Sequence, residues 1–519
     1  MKSEKPRVLI VHPYLLAIYP ILYVFSQNRG EVSPPYLIVP VAVVLGAVVL
    51  LQLVLGRVVQ DRLKSAVITS IACVSFLSYG FIQRAIRAEL PWCLVACRHR
   101  TFLPLYVAVV AAIIIVVVRA RSTPVVPTRF LNLLGGILVG FCLAGYVSYE
   151  LGESGDIRAA AKWARFVQAR CAAEPTLRPE YGGPPRDVYY IILDEYGRAD
   201  DMKRTFGYDN SSFIRYLTKK GFYVAEKSAS NYLATYPSLS SSLNMDYLDS
   251  IAKQEGLKTI DFHASLGCMI RDSTVSRLFR RAGYKYVSIS SGWQLTDRIR
   301  ADVFKRAGGL NEFERLLVDY SMLGVYQAPI LNSYRKHTDY QFEQIPEIGR
   351  MKQPTFAFVH IVCPHRPFVY DADGELPADT WPPPGVSEAA HYRAHYTAQV
   401  QYVNKKVCEM VDKLLTNSTV TPIIILQGDH GFQPDADPKY TATKSGRRSG
   451  CKLRSAILNA YYLPDGGNKL LYPSISPVNS FRVVFNRYFG ANYDLLEDRT
   501  YDVRLSRSNM VTEFKRVDD

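Results

Sequence analysis

Residues 188–198 read VYYIILDEYGR, an apolar run that ends abruptly in two carboxylates. Aromatic and β-branched residues favour a strand, and an uninterrupted apolar run is typical of a strand covered on both faces of a sheet. The same pattern recurs in residues 355–365, TFAFVHIVCPH, and in residues 423–431, IIILQGDHG. Three apolar strands that each end in acid or histidine residues indicate one sheet with polar groups along one edge.

Polar stretches with helical character separate the strands. Strands are predicted at residues 188–193, 221–224, 284–289, 355–362, 423–427 and 456–463, and helices at 210–220, 274–282 and 396–415. Such alternation predicts an α/β domain with a mostly parallel sheet flanked by helices. Because ligands bind at the carboxyl ends of the strands in sheets of this kind, the residues that follow the strands are the candidates for a functional site.

The first 150 residues have a different character. Five apolar stretches lie at residues 8–25, 36–55, 65–81, 102–118 and 130–149. A membrane-spanning helix needs about 20 mostly apolar residues, so the sequence predicts an N-terminal all-α transmembrane bundle of five helices. The first stretch follows basic residues like a signal peptide, but it lacks a small-residue cleavage site and another stretch follows closely. We expect it to be retained.

The distribution of Lys and Arg beside these stretches predicts the orientation of the chain. With a cytoplasmic N-terminus, nine basic residues flank the inner side (2, 5, 7, 57, 62, 64, 119, 121 and 129) and five the outer side (29, 84, 87, 98 and 100). Five spans then place the rest of the chain outside the cytoplasm. We expect a multi-pass protein of the cell membrane with three parts: a transmembrane domain at residues 1–150, a juxtamembrane helix (158–171) and linker at 151–186, and an extracytoplasmic catalytic domain at 187–519.

The composition narrows the classes of partner. The chain has 519 residues, a net charge of +15 and 48% hydrophobic residues. Basic charge attracts nucleic acid or anionic lipid alike, but the sequence has no zinc finger, basic zipper or aromatic strand platform. We therefore expect a membrane lipid and no nucleic acid as partner. The nine cysteines form no C-x-x-C pair. Cys93 and Cys97 lie in one loop. They either form a disulfide with each other or remain free thiols, and the sequence does not decide between the two.

Acid and histidine side chains follow three of the predicted strands. They are Asp194 and Glu195, His365, and the pair Asp429 and His430. Each motif alone is explained by a turn or a helix cap. Together they favour a metal site, because charges beside a buried sheet are costly unless they bind something, and carboxylates with imidazoles are ligands for divalent cations. The alternating pattern of its strand predicts that His360, by contrast, is a core residue.

From residue 187 to about 463 this set resembles the alkaline phosphatase and sulfatase superfamily. The resemblance implies that Asp194 is the first acidic metal ligand, that Asp429 and His430 are the later pair, and that His365 contacts the substrate. It also implies a nucleophile about 40 residues after the first acid. Residues 230–248, SNYLATYPSLSSSLNMDYL, offer Thr235, and a hydroxyl at a helix start faces amides that favour an anion. By composition alone the rivals are Ser238, Ser240, Ser241 and Ser242.

The chain lacks the Cys-x-Pro-x-Arg motif of sulfatases, which argues against sulfate-ester hydrolysis. The arrangement of this chain, in which an unmodified threonine follows a bundle of several membrane spans, is similar to that of lipoteichoic acid synthases and lipid A phosphoethanolamine transferases. That likeness implies transfer of a phosphate-linked group from a membrane phospholipid through Thr235. It also implies that Thr235 is a ligand of one divalent ion, with Zn or Mn as the first choice and Mg or Ca as alternatives. His365 would bind the phosphate or protonate the leaving oxygen. Those transferases have a Glu where this chain has Asp194 followed by Glu195. We expect Asp194 to be the metal ligand and Glu195 to be the second choice, and either residue or both could bind the ion.

Other interpretations stay open. One is a phosphodiester or sulfate-ester hydrolase of the same fold, and another is a catalytically silent domain that binds or senses lipid. Residues 444–454, KSGRRSGCKLR, are either a charged surface loop or a headgroup site formed by Lys444, Arg447 and Arg448. The sequence indicates no oligomeric state.

Overall fold

A computed structural model describes most of the chain. The described residues are 8–89, 99–152, 156–173, 177–179, 183–254, 260–297, 299–379, 382, 386–433, 439, 443–506 and 509–517. The loop with Cys93 and Cys97 lies outside these ranges. The chain forms two compact units, one of residues 1–155 with 310–330, and one of residues 156–309 with 331–519.

The first unit is helical. Its helices are α1 His12–Gln27, α2 Ile38–Val59, α3 Arg62–Glu89, α4 His99–Arg119, α5 Val125–Leu151 and, much later in the chain, α14 Glu312–Tyr320. Among the described residues, four segments are long and apolar enough to cross a membrane: Pro34–Val59, Arg62–Glu89, His99–Arg119 and Val125–Leu151. The chain therefore has a membrane-spanning character at its N-terminus. The predicted first span corresponds to α1, which has 16 residues, so the count of five stays a prediction.

Helix α14 belongs to this unit although it lies far along the chain. Phe313 is buried in a cluster with Ile21 and Val24 of α1. On α3, the Arg84 Nη2 atom lies 2.7 Å from Asp319 Oδ2. Nothing in the sequence pattern pointed to this association.

The second unit contains the remaining elements. Its helices are α6 Asp156–Ala173, α7 Ala199–Phe206, α8 Ser211–Lys219, α9 Thr235–Ser242, α10 Leu248–Gln254, α11 Ala264–Arg271, α12 Thr274–Arg281, α13 Gln294–Asp297, α15 Gln327–Ile348, α16 Glu388–Asn417, α17 Lys444–Ser455 and α18 Pro477–Phe489. Its strands are β1 Val188–Leu193, β2 Tyr223–Val224, β3 Ile260–Asp261, β4 Lys285–Ile289, β5 Val303–Lys305, β6 Thr355–Ile361, β7 Ile423–Gly428, β8 Asn459–Tyr462, β9 Tyr501–Leu505 and β10 Met510–Arg516.

A seven-stranded sheet organises this unit, in the order β2-β8-β7-β1-β6-β4-β5. The five central and outer strands β7, β1, β6, β4 and β5 run parallel, whereas β8 is antiparallel to β7 and β2. The predicted α/β class with a mostly parallel sheet is confirmed. A separate antiparallel sheet has the order β3-β10-β9.

Both faces of the main sheet are covered. In β1, Tyr190 and Ile192 belong to one buried cluster, and Tyr189, Ile191 and Leu193 to another on the opposite face. The first cluster includes aromatic residues of α12 and α18, and the second includes residues of α15 and α16. Burial on both faces explains why β1 is apolar throughout, because alternation is lost when neither face meets water.

The strand register brings three strand ends to one level. Leu193, the last residue of β1, pairs with Ile361 of β6 and with Gly428 of β7. The residues that follow these three positions therefore leave the sheet at the same edge. These are the segments that begin at Asp194, Val362 and Asp429.

Candidate active site

Backbone hydrogen bonds tie the three segments together at the sheet edge. The Asp194 amide donates to the Ile361 carbonyl at 3.0 Å, and the His365 amide donates to the Asp194 carbonyl at 3.1 Å. The Glu195 amide donates to Asp429 Oδ1, also at 3.0 Å. One oxygen of Asp429 is thereby fixed by the segment after β1, and its orientation follows from the sheet topology.

A buried group of side chains converges at this edge. One ligand atom each from Asp194, His360 and Asp429 lies within 4.8 Å of the others. Within the described part of the chain, Asp194 Oδ1, Asp429 Oδ2 and His360 Nε2 are buried without a hydrogen-bond partner. Unpaired buried polar atoms are costly, by about 1–3 kcal/mol each for neutral groups and more for charged ones. Two carboxylates and an imidazole are ligand types that fit a divalent cation.

His360 revises an expectation. It is buried, as predicted for a core residue, but its Nε2 atom lies 3.3 Å from Asp194 Oδ2. Its Nδ1 atom is 3.3 Å from the Thr296 hydroxyl. A histidine inside an otherwise apolar strand, five residues before His365, was the available signal. The alternating pattern predicted on which face of the strand His360 lies, but it did not predict that Asp194 is its neighbour.

His430 presents one ring nitrogen to the same group. Its Nδ1 atom is 2.9 Å from the Gly431 carbonyl, which can only accept. The proton of the neutral ring therefore lies on Nδ1, and Nε2 keeps its lone pair. Nε2 is 3.7 Å from Asp194 Oδ1, 3.6 Å from Asp429 Oδ2 and 3.4 Å from Thr235 Oγ1. A carbonyl that fixes the tautomer in this way is typical of metal-binding histidines.

Thr235 is the first residue of α9, and its side chain is buried. Ala234, in extended conformation, precedes the helix and contributes no side-chain cap. The first amides of a helix lack partners within the helix, and they attract anions together with the helix dipole. The Thr235 hydroxyl thus lies between His430 Nε2 and a helix start, where a phosphate oxygen would be favoured.

The four rival serines have structural hydrogen bonds instead. Each donates to a backbone carbonyl: Ser238 to Tyr232 (2.8 Å), Ser240 to Leu266 (3.0 Å), Ser241 to Asp246 (2.7 Å) and Ser242 to Leu239 (3.3 Å). These bonds orient the hydroxyls into the fold rather than toward His430. Among the hydroxyls of this helix, the described contacts single out Thr235 as the one beside the acid and histidine group.

Glu195 faces a different set of partners. Its backbone adopts a left-handed φ of 63°. Oε1 accepts hydrogen bonds from the Tyr392 hydroxyl at 2.7 Å and from the Gln433 amide at 2.6 Å. Oε2 lies 3.7 Å from His365 Nε2. Glu195 therefore links the group to His365, and its role as a metal ligand stays a prediction.

His365 lies at the mouth of the site, with about a third of its side chain exposed. Its Nδ1 atom is 2.5 Å from the Arg366 carbonyl, and Gln399 donates to the carbonyls of Pro364 and His365. Helix α16 thus supports the loop that carries His365. Sequence reasoning had not identified Tyr392 or Gln399, because neither lies in a recognisable motif.

The acidic and histidine side chains of the site stabilise each other's charged forms and so shift each other's pKa values. Burial alone would raise the pKa of the Asp194 carboxyl, but His365, His360 and His430 reverse this effect and hold that pKa below its usual value. Burial alone would lower the pKa of His365, but Asp194 and Glu195 outweigh it and raise that pKa. Burial, and then Glu195, raises the pKa of Tyr392, so its hydroxyl remains a donor.

The basic run after the Asp-His pair is helical, not a loop. It forms α17, in which Thr443 caps the first turn by accepting from the Gly446 amide. Arg447 and Arg448 are exposed, and the Lys444 side chain lies outside the described residues. Their binding of a headgroup stays a prediction.

The fold and the side-chain set together define a class. A mostly parallel sheet, whose carboxyl edge gathers an acid, a hydroxyl at a helix start and a later Asp-His pair, is typical of domains of the alkaline phosphatase and sulfatase class. Residues 186–473 match the family model described as Sulfatase. The match covers more than half of the chain, and the chain belongs to the sulfatase family.

Several solved structures are similar to parts of the chain. One is the C-terminal periplasmic domain of EcEptC from Escherichia coli in complex with Zn, with 12% identity, a TM-score of 0.44 and coverage of 67% of this chain and 97% of that chain. A second is the integral membrane lipooligosaccharide phosphoethanolamine transferase A from Neisseria meningitidis, with 12% identity, a TM-score of 0.38 and coverage of 92% and 95%. A third is the lipoteichoic acid synthase LtaP from Listeria monocytogenes, with 13% identity, a TM-score of 0.37 and coverage of 66% and 83%. No curated protein sequence matches the chain.

Proposed function

We propose that this protein is a membrane-anchored, metal-dependent transferase. It moves a phosphate-linked group from a membrane phospholipid to an acceptor through Thr235. The proposed metal ligands are Asp194, Asp429, His430 and Thr235, with His360 3.3 Å from Asp194. His365 binds the phosphate or acts as the acid. The proposed enzyme belongs to the sulfatase family. The absence of a Cys-x-Pro-x-Arg motif favours phosphate esters over sulfate esters as its substrates.

One observation carries the proposal. The Thr235 hydroxyl at the start of α9 lies 3.4 Å from His430 Nε2, and His430 Nε2 lies within 3.7 Å of both Asp194 and Asp429. Residues from three distant segments of the chain thus form one group, and the Thr235 hydroxyl lies beside its histidine. A threonine is a poor nucleophile unless it is activated, and such a surrounding is a means of activation.

A divalent cation held by these residues would supply Lewis acidity, which makes the Thr235 hydroxyl more acidic and polarises a phosphoryl oxygen. In the first half-reaction, Thr235 Oγ1 loses its proton to water and forms a bond to phosphorus. The bond between phosphorus and the lipid glycerol oxygen breaks, and that oxygen takes a proton from His365 Nε2. The products are a diglyceride and a phosphodiester on Thr235.

The second half-reaction reverses the roles. An acceptor hydroxyl gives its proton to His365 Nε2 and bonds to phosphorus, the bond to Thr235 Oγ1 breaks, and Oγ1 takes back a proton from water. Glu195, 3.7 Å from His365 Nε2, stabilises the protonated imidazole that is present before the first half-reaction and after the second. The amides at the start of α9 offset the negative charge of the phosphate. With water as acceptor the same site is a phosphodiesterase.

We also propose that α1 is a fifth span, with the N-terminus cytoplasmic and the catalytic unit extracytoplasmic. Asn132 of α5 supports this assignment, because its Oδ1 accepts from the Val11 and His12 amides at 3.2 and 2.9 Å. Its Nδ2 donates to the Leu9 carbonyl at 2.6 Å. Backbone groups must be satisfied within a bilayer, and these bonds satisfy the start of α1. Single cysteines at Ser3 and at Ser250, labelled by an impermeant maleimide in intact cells, test the topology: only the second should react.

The nucleophile is tested by intact-mass spectrometry of the full-length protein with vesicles of isotope-labelled phospholipid. The wild type should gain the mass of a phosphate-linked headgroup, and Thr235→Ala should gain none. Thr235→Ser should retain the adduct because it keeps the hydroxyl. Ser238→Ala is the matched control, since its hydroxyl belongs to the same helix but donates to Tyr232.

Treatment with a chelator should abolish the adduct, and added Zn²⁺ or Mn²⁺ should restore it. Release of free headgroup phosphate in the absence of any acceptor would favour the hydrolase. An adduct that persists in Thr235→Ala eliminates the proposed nucleophile. A wild-type protein that forms no adduct and releases no product with any phospholipid contradicts the enzyme assignment and favours a silent lipid-binding domain.

A further inference from the structure

A second group of metal-binding side chains lies outside the candidate active site. It consists of Asp379, His391 and His395, and one ligand atom of each lies within 4.8 Å of the others. His391 and His395 are four residues apart on α16, so they share one helix face. Asp379 lies on the loop between β6 and α16, the same loop that carries His365.

The contacts of these residues hold the group together. The two imidazole rings have centroids 4.1 Å apart. His391 Nε2 is 3.2 Å from the backbone carbonyl of Asp379, which keeps this part of the loop against the helix. On its other side, the His395 ring stacks on Phe368, with centroids 5.9 Å apart and planes at 18°. The geometry of the group is thus defined by packing from two elements.

The group has the chemistry of a zinc-type site. Two imidazoles and a carboxylate with one open position are a common ligand set for Zn²⁺ and for related divalent ions such as Co²⁺. Ligand bonds of about 2.0–2.2 Å in tetrahedral geometry separate ligand atoms by about 3.4 Å. The present separations are at most 4.8 Å, so small side-chain rotations suffice. His391 is buried, His395 is half-buried and Asp379 is exposed, which leaves the site open to an ion from solvent.

We propose that Asp379, His391 and His395 bind a second divalent cation of the zinc class, separate from the candidate active site. The bound ion joins the loop that carries His365 to helix α16. It acts near Tyr392, the residue after His391, whose hydroxyl donates to Glu195. Phe368 packs against both rings, with centroids 5.5 Å from Tyr392 and 5.9 Å from His395. The ion is therefore a structural clamp that fixes the loop of the proposed acid.

Zinc counting on the full-length protein tests the second site. The protein is stripped with a chelator, dialysed against Zn²⁺ and analysed by elemental mass spectrometry. The wild type should bind two ions per chain. The variant Asp194→Asn/Asp429→Asn, in which the candidate active site is disabled, should bind one. Adding His395→Gln or Asp379→Asn to this variant should reduce the count to none.

Arg393→Gln in the same background is the matched control, because Arg393 is an exposed residue of α16 between the two histidines and is no metal ligand. It should leave one ion bound. With Co²⁺ in place of Zn²⁺, the background variant should show the visible absorption of tetrahedral cobalt, and His395→Gln should remove it. Thermal unfolding of each metal-free variant establishes that the substitutions leave the fold intact.

The outcomes separate this inference from the proposed function. A background variant that binds no zinc, or a count that His395→Gln and Asp379→Asn leave unchanged, overturns the second site. A wild-type count of one that His395→Gln removes, and that Asp194→Asn/Asp429→Asn does not, supports the second site and contradicts the proposed active site.

Discussion

Gly431, the last residue of the D-H-G motif, is expected to tolerate no side chain. A Cβ atom there would lie 2.5 Å from the carbonyl oxygens of both Ala456 and Leu453. Ordinary contacts between carbon and oxygen are about 3.3 Å or longer, so the backbone must move by roughly 0.8 Å. The Gly431 carbonyl is also the partner of His430 Nδ1, and this movement would displace His430.

Gly431→Ala should therefore affect catalysis more than folding. Overpacking costs about 1–3 kcal/mol of stability, whereas a misplacement of about 1 Å in a catalytic group lowers the rate on the order of 100-fold. The assay is kcat/KM for release of diglyceride from phospholipid vesicles, with the zinc content and the melting temperature measured on the same sample. We expect a loss of activity of about 100-fold in protein that remains folded.

The control is Gly140→Ala, because among the described residues no atom beyond the neighbouring part of its own helix lies within 4 Å of a Cβ at that position, and alanine favours a helix. It should retain full activity. A Gly431→Ala variant with wild-type activity and zinc content would refute the argument that close backbone packing fixes His430.

Three further outcomes follow from buried hydrogen bonds. Tyr190→Phe removes the hydroxyl that donates to Gln427 Oε1 at 2.7 Å and should lower the free energy of unfolding by about 1–3 kcal/mol in a denaturant titration. Tyr189→Phe is the matched control, because the Tyr189 hydroxyl is buried without a partner in the described ranges. A loss of equal size in Tyr189→Phe would contradict the prediction. His360→Gln should weaken zinc binding by about 10- to 100-fold in a competition titration, because the ring lies 3.3 Å from the proposed ligand Asp194. Unchanged affinity would show that His360 only packs in the core. Tyr392→Phe removes the donor to Glu195 Oε1. Because hydrogen bonds to charged groups contribute about 1.5–3 kcal/mol, we expect kcat/KM to fall at least about 10-fold. An unchanged rate would exclude a role of Tyr392 in positioning Glu195.

The sequence determined the class of the fold. The run VYYIIL coincides with β1, and the strands predicted at residues 355–362 and 423–427 agree with β6 and β7 to within one residue. Periodicity and apolar runs are local properties, so they are readable without the fold. The polar residues after these strands were visible for the same reason. The membrane-spanning character of the N-terminal helices was equally legible from length and hydropathy.

Contacts between distant segments were not readable. The association of α14 with the N-terminal helices depends on Phe313 meeting Ile21 and Val24, and no local pattern specifies that pairing. The group of Asp379, His391 and His395 needs a loop to fold back on a helix. The hydrogen bond between Glu195 and Tyr392 joins residues 197 positions apart.

His360 shows where the division lies. The sequence by itself determined that His360 is in a buried strand and that Asp194 follows another. Only the tertiary structure decided that they meet, through the parallel register that pairs Ile192 with His360. That register places the His360 side chain beside Asp194, the residue that follows the end of β1, with Nε2 3.3 Å from Asp194 Oδ2. The physical reason is that a strand's own pattern sets which face a side chain occupies, whereas pairing between strands sets which side chain lies next to it.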